Sequence, residues 1–213
     1  MALVRKTAPA ERDADAPRRA ERTWSVLVEQ LRHPDPEARR RAALDLHGEL
    51  RAAPALLAAA REEDDPAARD AALATVASFD LVEVARELAG WLGLDDAARR
   101  NAAVVALQSM PSCVASVLEH VLAGADVRAR LMAVMVITAL PRPEVPRWLL
   151  RIAEGDADEN VVAAAIDAGV LVDDALGHQL ATEGAARFPD NPYLAFLAAS
   201  VAPTASLSEV GAP

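Results

Sequence analysis

The chain has 213 residues, of which 53% are hydrophobic and only 3% aromatic, so its core must be filled by Ala, Leu and Val, which suits closely packed helices. The net charge of −10 argues against binding to nucleic acids or anionic membranes, because both require a cationic surface. Cys113 is the single cysteine, which excludes an intramolecular disulfide or a multi-cysteine metal site and indicates a reducing cytoplasm.

The first segment, residues 1–22, is rich in Ala, Pro and charged residues of both signs. This composition predicts a disordered N-terminal arm, and the segment has no apolar run of signal-peptide length. The longest apolar run further along, residues 131–140, is too short to span a bilayer. Residues 23–31 place Trp24 and Leu31 at helical spacing, which predicts a capping helix.

Two stretches of the chain are nearly the same: residues 35–44 read DPEARRRAAL and residues 65–73 read DPAARDAAL. A fixed period of this length indicates a repeat architecture. Small or apolar residues follow the repeated arginine after three and seven positions, so each copy begins with an amphipathic helix. The arginines at intervals of 30, 30 and 29 residues are Arg39, Arg69, Arg99 and Arg128.

An acid stands four residues before the arginine in the first three copies, at Asp35, Asp65 and Asp95. There it is expected to cap the helix and to face the arginine one turn later. In the fourth copy Gly124 occupies this position.

A second helical segment follows each of these helices, so the repeated unit is a helix, a tight turn and another helix. The four second segments are residues 51–61, 80–92, 111–122 and 143–153. A fifth copy, which matches the pattern less well, covers residues 158–188, with Val162 in place of the arginine. Residues 191–201 predict a C-terminal capping helix, and residues 202–213 a flexible polar tail.

The pattern D-P-x-x-R-x-x-A, the period near 30 and the paired helices resemble the short bacterial type of HEAT-like repeats, which also occur in phycobilisome lyases. The similarity covers residues 33–188. It implies an all-α fold, an armadillo-type α-solenoid of about five helix-turn-helix repeats, with the repeat domain and its capping helices spanning residues 23–201. The run PEVPRWL at residues 143–149 also resembles small HEAT-repeat proteins of bacterial sensory and chemotaxis-type systems.

The repeated arginines have two alternative roles: a ladder for an anionic ligand, or pairing with acids that holds adjacent repeats together. We favour structural pairing, because each arginine has an acid in its own repeat or the next. The predicted structural ladder comprises Asp35, Arg39, Asp65, Arg69, Asp95, Arg99 and Arg128.

No motif indicates catalysis, since the sequence has neither a Gly-rich phosphate loop nor a G-x-S-x-G elbow, and the four histidines are scattered. Asp156, Asp158 and Asn160 alternate as in a calcium loop, with Asp167 at the twelfth position. Val161, however, occupies the position that needs Gly, so we expect an acidic helix cap instead. We predict no catalytic residue, no metal and no cofactor.

Cys113 could be a nucleophile or an attachment point, but its helical spacing from Val117 favours a half-buried, unreactive thiol. Trp24, Trp91 and Trp148 could anchor an interface, yet their apolar neighbours favour packing in the core or between repeats.

Solenoid curvature makes the face formed by the second helices concave, so we expect a partner to bind there. The polar positions of that face are Glu83, Arg86, Glu87, Ser116, His120, Arg147 and Arg151. Their mixed signs suit a folded protein or a helix better than a polyanion.

The first hypothesis is a non-catalytic protein-binding scaffold or adaptor in a bacterial cytoplasm, for which the resemblance supplies a signalling role. The alternative is a lyase or lyase subunit that handles a bilin-type tetrapyrrole, with Arg86, Arg147 and Arg151 gripping its propionates. A DNA glycosylase or other nucleic-acid binder is disfavoured by the charge, and no membrane partner is expected. The oligomeric state is left open, with a monomer favoured.

Overall fold

The computed structural model describes residues 16–201, and the side chains of residues 23–201. This part of the chain contains twelve α-helices, one short 3-10 helix and no β-strand, which confirms the predicted all-α class. The helices are α1 (Ala16–Gln30), α2 (Pro36–Asp45), the 3-10 helix (Leu50–Ala52), α3 (Ala53–Glu62), α4 (Pro66–Ala77), α5 (Val82–Trp91), α6 (Ala97–Gln108), α7 (Val114–Leu122), α8 (Val127–Thr138), α9 (Val145–Gly155), α10 (Glu159–Val172), α11 (Asp174–Arg187) and α12 (Pro192–Ser200). None of these helices combines the length and the apolar character needed to cross a bilayer.

The two ends of the chain differ in how far the structure reaches. Helix α1 begins at Ala16, so residues 16–22 of the predicted disordered arm are helical. Residues 1–15 of the arm and the predicted tail, residues 202–213, lie outside the described residues.

The helices follow one another along the chain in the predicted order. The five first helices are α2, α4, α6, α8 and α10, and the five second helices are α3, α5, α7, α9 and α11. The described residues divide into two compact units between Thr75 and Val76. In the first unit α1 packs against α2, and the 3-10 helix leads into α3.

The second unit has its helices in two rows. In the row of first helices α6 contacts α8, and α8 contacts α10. In the row of second helices α5 contacts α7, and α9 contacts α11, against which α12 also packs. In each row, helices that are two α-helices apart along the chain therefore lie side by side.

Aspartate caps start the first helices. The Asp35 carboxylate accepts the Glu37 backbone N–H at 3.1 Å, as the sequence predicts. Asp65 similarly accepts the Ala68 N–H at 2.9 Å. A cap of this kind stabilises a helix by about 1 kcal/mol relative to Ala.

The predicted cap of the third repeat is wrong. Asp96, and not Asp95, caps α6, accepting the Arg99 N–H at 3.0 Å. In the fourth repeat Asp126 caps α8, two residues after the Gly124 that the sequence comparison places there. The helices therefore begin one and two residues later than the predicted register: the third repeat has two adjacent aspartates and uses the second, and the first acid of the fourth repeat is Asp126.

The core consists mainly of Ala, Val and Leu, which lets neighbouring helices approach closely. Trp91 and Trp148 are each 2% exposed, so the prediction that they pack inside is confirmed. Trp24 is half-buried, and the Arg51 guanidinium lies 4.6 Å from its ring centroid. Gly177 marks the close approach of α11 to α10: a Cβ there would lie 3.0 Å from the Val170 Cα.

Candidate protein-binding surface

One arginine in each of the first four repeats makes the same hydrogen bond. It stands four residues after the cap, and its Nη1 donates to the backbone carbonyl six residues before it. The four bonds are Arg39 to His33 at 2.8 Å, Arg69 to Glu63 at 3.4 Å, Arg100 to Leu94 at 2.6 Å and Arg130 to Gly124 at 2.9 Å. The repeated arginine thus ties each first helix to the loop before it.

This register differs from the predicted ladder in the third and fourth repeats, although both predicted arginines there do pair with an acid. Arg39 and Arg69 occupy the shared position, but Arg100 and Arg130 do so in place of Arg99 and Arg128. Arg99 pairs instead with its own cap, Asp96. Arg128 pairs at 2.5 Å with Asp95, whose side chain is 98% exposed.

Two of the four arginines also hold a carboxylate of the next repeat. Arg39 donates from Nε and Nη2 to Glu63 at 2.6 and 2.7 Å. Arg130 donates in the same way to Asp156, at 2.8 and 3.1 Å. Each acid stands two residues before the next cap and accepts the backbone N–H of that cap at 2.9 Å. The hydrogen bonds from Arg39 lower the pKa of Glu63.

The other two arginines lack such an acid. The Nε atoms of Arg69 and Arg100 are buried and have no hydrogen-bond partner among the described residues. In the sequence, Leu94 and Gly124 stand two residues before the caps that follow them. The two-pronged pair with the arginine four residues after the cap is therefore present only where an acid occupies that position, although Arg128 and Asp95 form a separate, exposed ion pair between the third and fourth repeats.

The seven residues of the predicted partner face are all exposed and all lie on second helices of the second unit. Helix α5 carries Glu83, Arg86 and Glu87, α7 carries Ser116 and His120, and α9 carries Arg147 and Arg151. Two of their polar contacts are local: the Ser116 hydroxyl donates to the Cys113 carbonyl at 3.1 Å, and the Trp91 Nε1 lies 3.5 Å from Glu87 Oε1. Most of these polar groups thus remain accessible to a partner.

A groove of about 310 Å³ runs between α7 and α9 beside this face. Trp148 forms part of its wall, and its indole Nε1 donates to Glu119 Oε1 at 3.4 Å. The same Glu119 oxygen lies 3.6 Å from the Arg147 guanidinium. Arg151 and Asp156 also line the groove. The groove lining therefore combines an indole wall with two acids, Glu119 and Asp156, and one cation, Arg151.

The first unit contains an equivalent groove between α1 and α3, also of about 310 Å³. Its lining residues occupy the same repeat positions, counted from the caps Asp65 and Asp158. Ala55 stands where Trp148 does, Ala58 where Arg151 does, and Glu63 where Asp156 does. This groove therefore has alanines in place of the Trp148 indole and the Arg151 guanidinium, while its charged lining residues are Arg32, Arg39, Glu62, Glu63 and Asp64.

Sequence reasoning missed Glu119, which links Trp148 to Arg147. Its position on α7 is exposed and polar, like the neighbouring His120, but only the packed helices show that it faces α9. It also missed the pairs of Arg39 with Glu63 and Arg130 with Asp156. The available signal was an acid two residues before the caps Asp65 and Asp158.

Cys113 is half-buried, as predicted. Its Sγ donates to Asp80 Oδ1 at 3.2 Å. Burial and the adjacent Asp80 raise the pKa of the Cys113 thiol to about 12. Burial also raises the pKa of Asp80, but the hydrogen bonds from Ser112 and Cys113 outweigh it and leave that pKa lowered. The thiol is therefore a hydrogen-bond donor in a turn, and not a nucleophile.

The apparent calcium loop has two structural roles instead. Asp158 caps α10 by accepting the Asn160 and Val161 N–H groups, as predicted, and Asp156 pairs with Arg130. In residues 23–201 no cluster of three or more His, Cys, Asp or Glu side chains has the geometry to hold a metal.

Comparison with protein-family models finds no family that matches the chain, and comparison with curated proteins finds no significant relative.

Proposed function

We propose that the chain is an α-solenoid of HEAT-like repeats that serves as a non-catalytic protein-binding scaffold or adaptor. Three features support the solenoid: ten short helices in the predicted order, contacts between alternate helices in the second unit, and the arginine hydrogen bond that recurs in four repeats. Stacked repeats of this kind bury a continuous core and leave long faces for partners.

The binding site we propose is the exposed face of α5, α7 and α9 with the groove between α7 and α9. The observation that carries this proposal is the groove itself, where Trp148, Glu119 and Arg151 meet. Aromatic and arginine side chains supply much of the binding energy at protein interfaces. Because acids and bases alternate on this face, the partner we propose is a helix or folded surface that carries both signs of charge.

A tetrapyrrole-handling lyase is less well supported by the geometry. Arg147, one of the three arginines expected to grip propionates, lies 3.6 Å from Glu119. The groove volume of about 310 Å³ is at the low end of small-molecule sites, which span about 300–1,000 Å³. The proposed setting in bacterial signalling rests on the sequence resemblance alone.

The test is a quantitative pull-down from the native host with three baits: the unmodified chain, the double variant Arg147→Glu and Arg151→Glu, and a control with Arg41→Glu and Arg61→Glu. Both variants change the net charge equally, but the control places its substitutions on exposed positions of α2 and α3. We expect the unmodified chain and the control to capture the same proteins and the α9 variant to lose them. Equal capture by all three baits would exclude the α7–α9 face as the binding site.

A further inference from the structure

The repeats bind a carboxylate of the chain in the same way in two places. Arg39 donates from Nε and Nη2 to Glu63 at 2.6 and 2.7 Å, and the backbone N–H of the cap Asp65 donates to the same carboxylate at 2.9 Å. Arg130 and the backbone N–H of the cap that follows it hold Asp156 with the same three donors. These donors match the two oxygens of a carboxylate, because the planar guanidinium presents its N–H groups as a fork. We call this arrangement the three-donor site.

The boundary between α6 and α8 has the same three donor groups, but no acid of the described residues binds to them. Arg100 occupies the repeated position, where its Nη1 donates to the Leu94 carbonyl at 2.6 Å. Its Nε is buried without a hydrogen-bond partner, and its hydrogen bonds to the chain are made by Nη1 alone. The backbone N–H of the cap Asp126 makes no hydrogen bond within residues 23–201 either. Gly124 stands at the position of the acid and has no side chain to offer them.

The position of the acid side chain is open at this boundary. The heavy atoms nearest to a Cβ on Gly124 would be backbone atoms of His120 and Val121 at the end of α7, at 3.1 to 4.0 Å, so no other side chain has taken the place of the acid. Gly124 and Asp126 are exposed, and Arg100 is half-buried. A carboxylate from solvent therefore has a route to the three donors that Glu63 and Asp156 close in the other repeats.

A second guanidinium lies beside that of Arg100. The Arg128 Nη1 is 3.4 Å from the Leu94 carbonyl oxygen, which also accepts the hydrogen bond from Arg100 Nη1. The two acids nearby already have partners: Asp95 pairs with Arg128, and the Asp126 carboxylate accepts backbone N–H groups as the cap of α8. Two cations thus balance two engaged acids, and the guanidinium edge of Arg100 remains the unpaired group of the cluster.

We propose that Arg100 and the backbone N–H of Asp126 bind a carboxylate from outside the chain, in the position that acids of the chain fill at the other two three-donor sites. A buried donor without a partner is unfavourable, so a ligand that pairs with Arg100 Nε stabilises the folded protein. A small free carboxylate and the acidic side chain of a partner present the same group to the site. Because the chain carries a net charge of −10, we expect weak, millimolar affinity. Neither residue lines the α7–α9 groove, so this site is separate from the proposed partner site.

Nuclear magnetic resonance of the full chain tests the proposal, with sodium acetate as the probe and sodium chloride at equal ionic strength as the reference. We expect acetate, and not chloride, to shift the Arg100 Nε–H and Asp126 amide resonances saturably. Gly124→Asp places a carboxylate of the chain in the site and should abolish the acetate shift of both resonances. Arg100→Leu should abolish the shift of the Asp126 amide, whereas Arg41→Leu, which removes the same charge from an exposed position of α2, should leave it unchanged. The dispersion of each spectrum shows whether the variant is folded.

A second titration, with the blocked peptide acetyl-Gly-Glu-Gly-amide, separates the two sources of the carboxylate. Tighter binding of the peptide than of acetate identifies the acidic side chain of a partner as the ligand, and equal or weaker binding identifies a free carboxylate. Two results would overturn the proposal: no saturable shift with either probe, as expected if water alone satisfies Arg100, or an acetate shift that persists in Gly124→Asp. Because none of these substitutions lies on α5, α7 or α9, the carboxylate site and the proposed partner site are tested separately.

Discussion

Arg130 and Asp156 form a two-pronged ion pair that is almost completely buried, with 9% and 6% of their side-chain surfaces exposed. The pair joins α8 to the loop before α10, and the same guanidinium also holds the Gly124 carbonyl at 2.9 Å. The Arg130 side chain therefore connects α8 with two loops of the second unit, the one before α8 and the one before α10.

We predict that Arg130→Ala lowers the free energy of unfolding by about 3 kcal/mol or more, because it leaves the Asp156 carboxylate buried without its counter-charge. Arg128→Ala is the matched control, since Arg128 lies two residues away and pairs with the 98% exposed Asp95. It should leave stability almost unchanged. Urea denaturation of the two variants makes the comparison. Equal losses would contradict the register in which Arg130, and not Arg128, is the repeated arginine.

Gly124→Asp is expected to stabilise the protein. It places an acid two residues before the Asp126 cap, where Glu63 and Asp156 stand in the repeats whose arginines are fully paired, and so offers a partner to the buried Nε of Arg100. A Cβ at this position would lie 3.1 Å from the Val121 carbonyl oxygen, so Gly124→Ala measures the steric cost alone.

The melting temperature of Gly124→Asp should exceed that of Gly124→Ala by a few degrees, corresponding to roughly 1 kcal/mol for a charge-assisted hydrogen bond. The gain should disappear when Arg100→Leu is added. A gain that persists without Arg100 would mean that the new acid acts on some other group.

Stability is expected to fall in acid partly through Glu63. Its hydrogen bonds with Arg39 lower its folded-state pKa below the ordinary value of 4.5, so the ionised form contributes stability that is complete above pH 4.5 and is lost as the pH falls through the folded pKa. Glu63→Gln should be less stable than the unmodified chain at pH 7, and the difference should shrink in acid. Thermal melts from pH 7 to pH 3 measure it; a constant difference would assign the stabilisation to packing.

Cys113 is predicted to react slowly with iodoacetamide. Because burial and Asp80 raise its pKa to about 12, very little thiolate exists in the folded protein at pH 8, whereas the unfolded chain titrates near 9. Alkylation should be much faster in urea, and Asp80→Asn should speed it in the folded state by removing the neighbouring negative charge. Asn also tolerates the left-handed backbone at this position, where φ is +48°. Rapid alkylation of the folded, unmodified chain would contradict the buried hydrogen bond.

The helical pairs could be predicted from the sequence because their signals are local. Asp35 and Asp65 each precede Pro and an apolar stripe, and the structure uses both as the sequence suggests. The predicted register of the third and fourth repeats was wrong because their sequence signals are ambiguous. Asp95 and Asp96 are both competent caps, and arginines at 99 and 100, or at 128 and 130, fit the same period. Packing against neighbouring helices selects between them, and a single sequence does not contain that information.

For the candidate surfaces, too, the features with local sequence signals could be predicted, and those that depend on helix packing could not. The polar residues of α5, α7 and α9 follow from helical spacing, because a charged position on an amphipathic helix is exposed. The groove beside Trp148 does not, since it depends on Glu119 reaching across from α7 to α9. The exposure of Val105 and Met135 was also not predicted, because both look like core residues until the orientation of α6 and α8 is known.

The boundary between α6 and α8 is bridged by an exposed ion pair, Arg128 with Asp95, whereas the boundary between α8 and α10 is bridged by the almost completely buried pair of Arg130 and Asp156. Dissolved salt screens exposed charges much more strongly than buried ones. Raising the ionic strength is therefore expected to loosen α6 from α8 before it loosens α8 from α10.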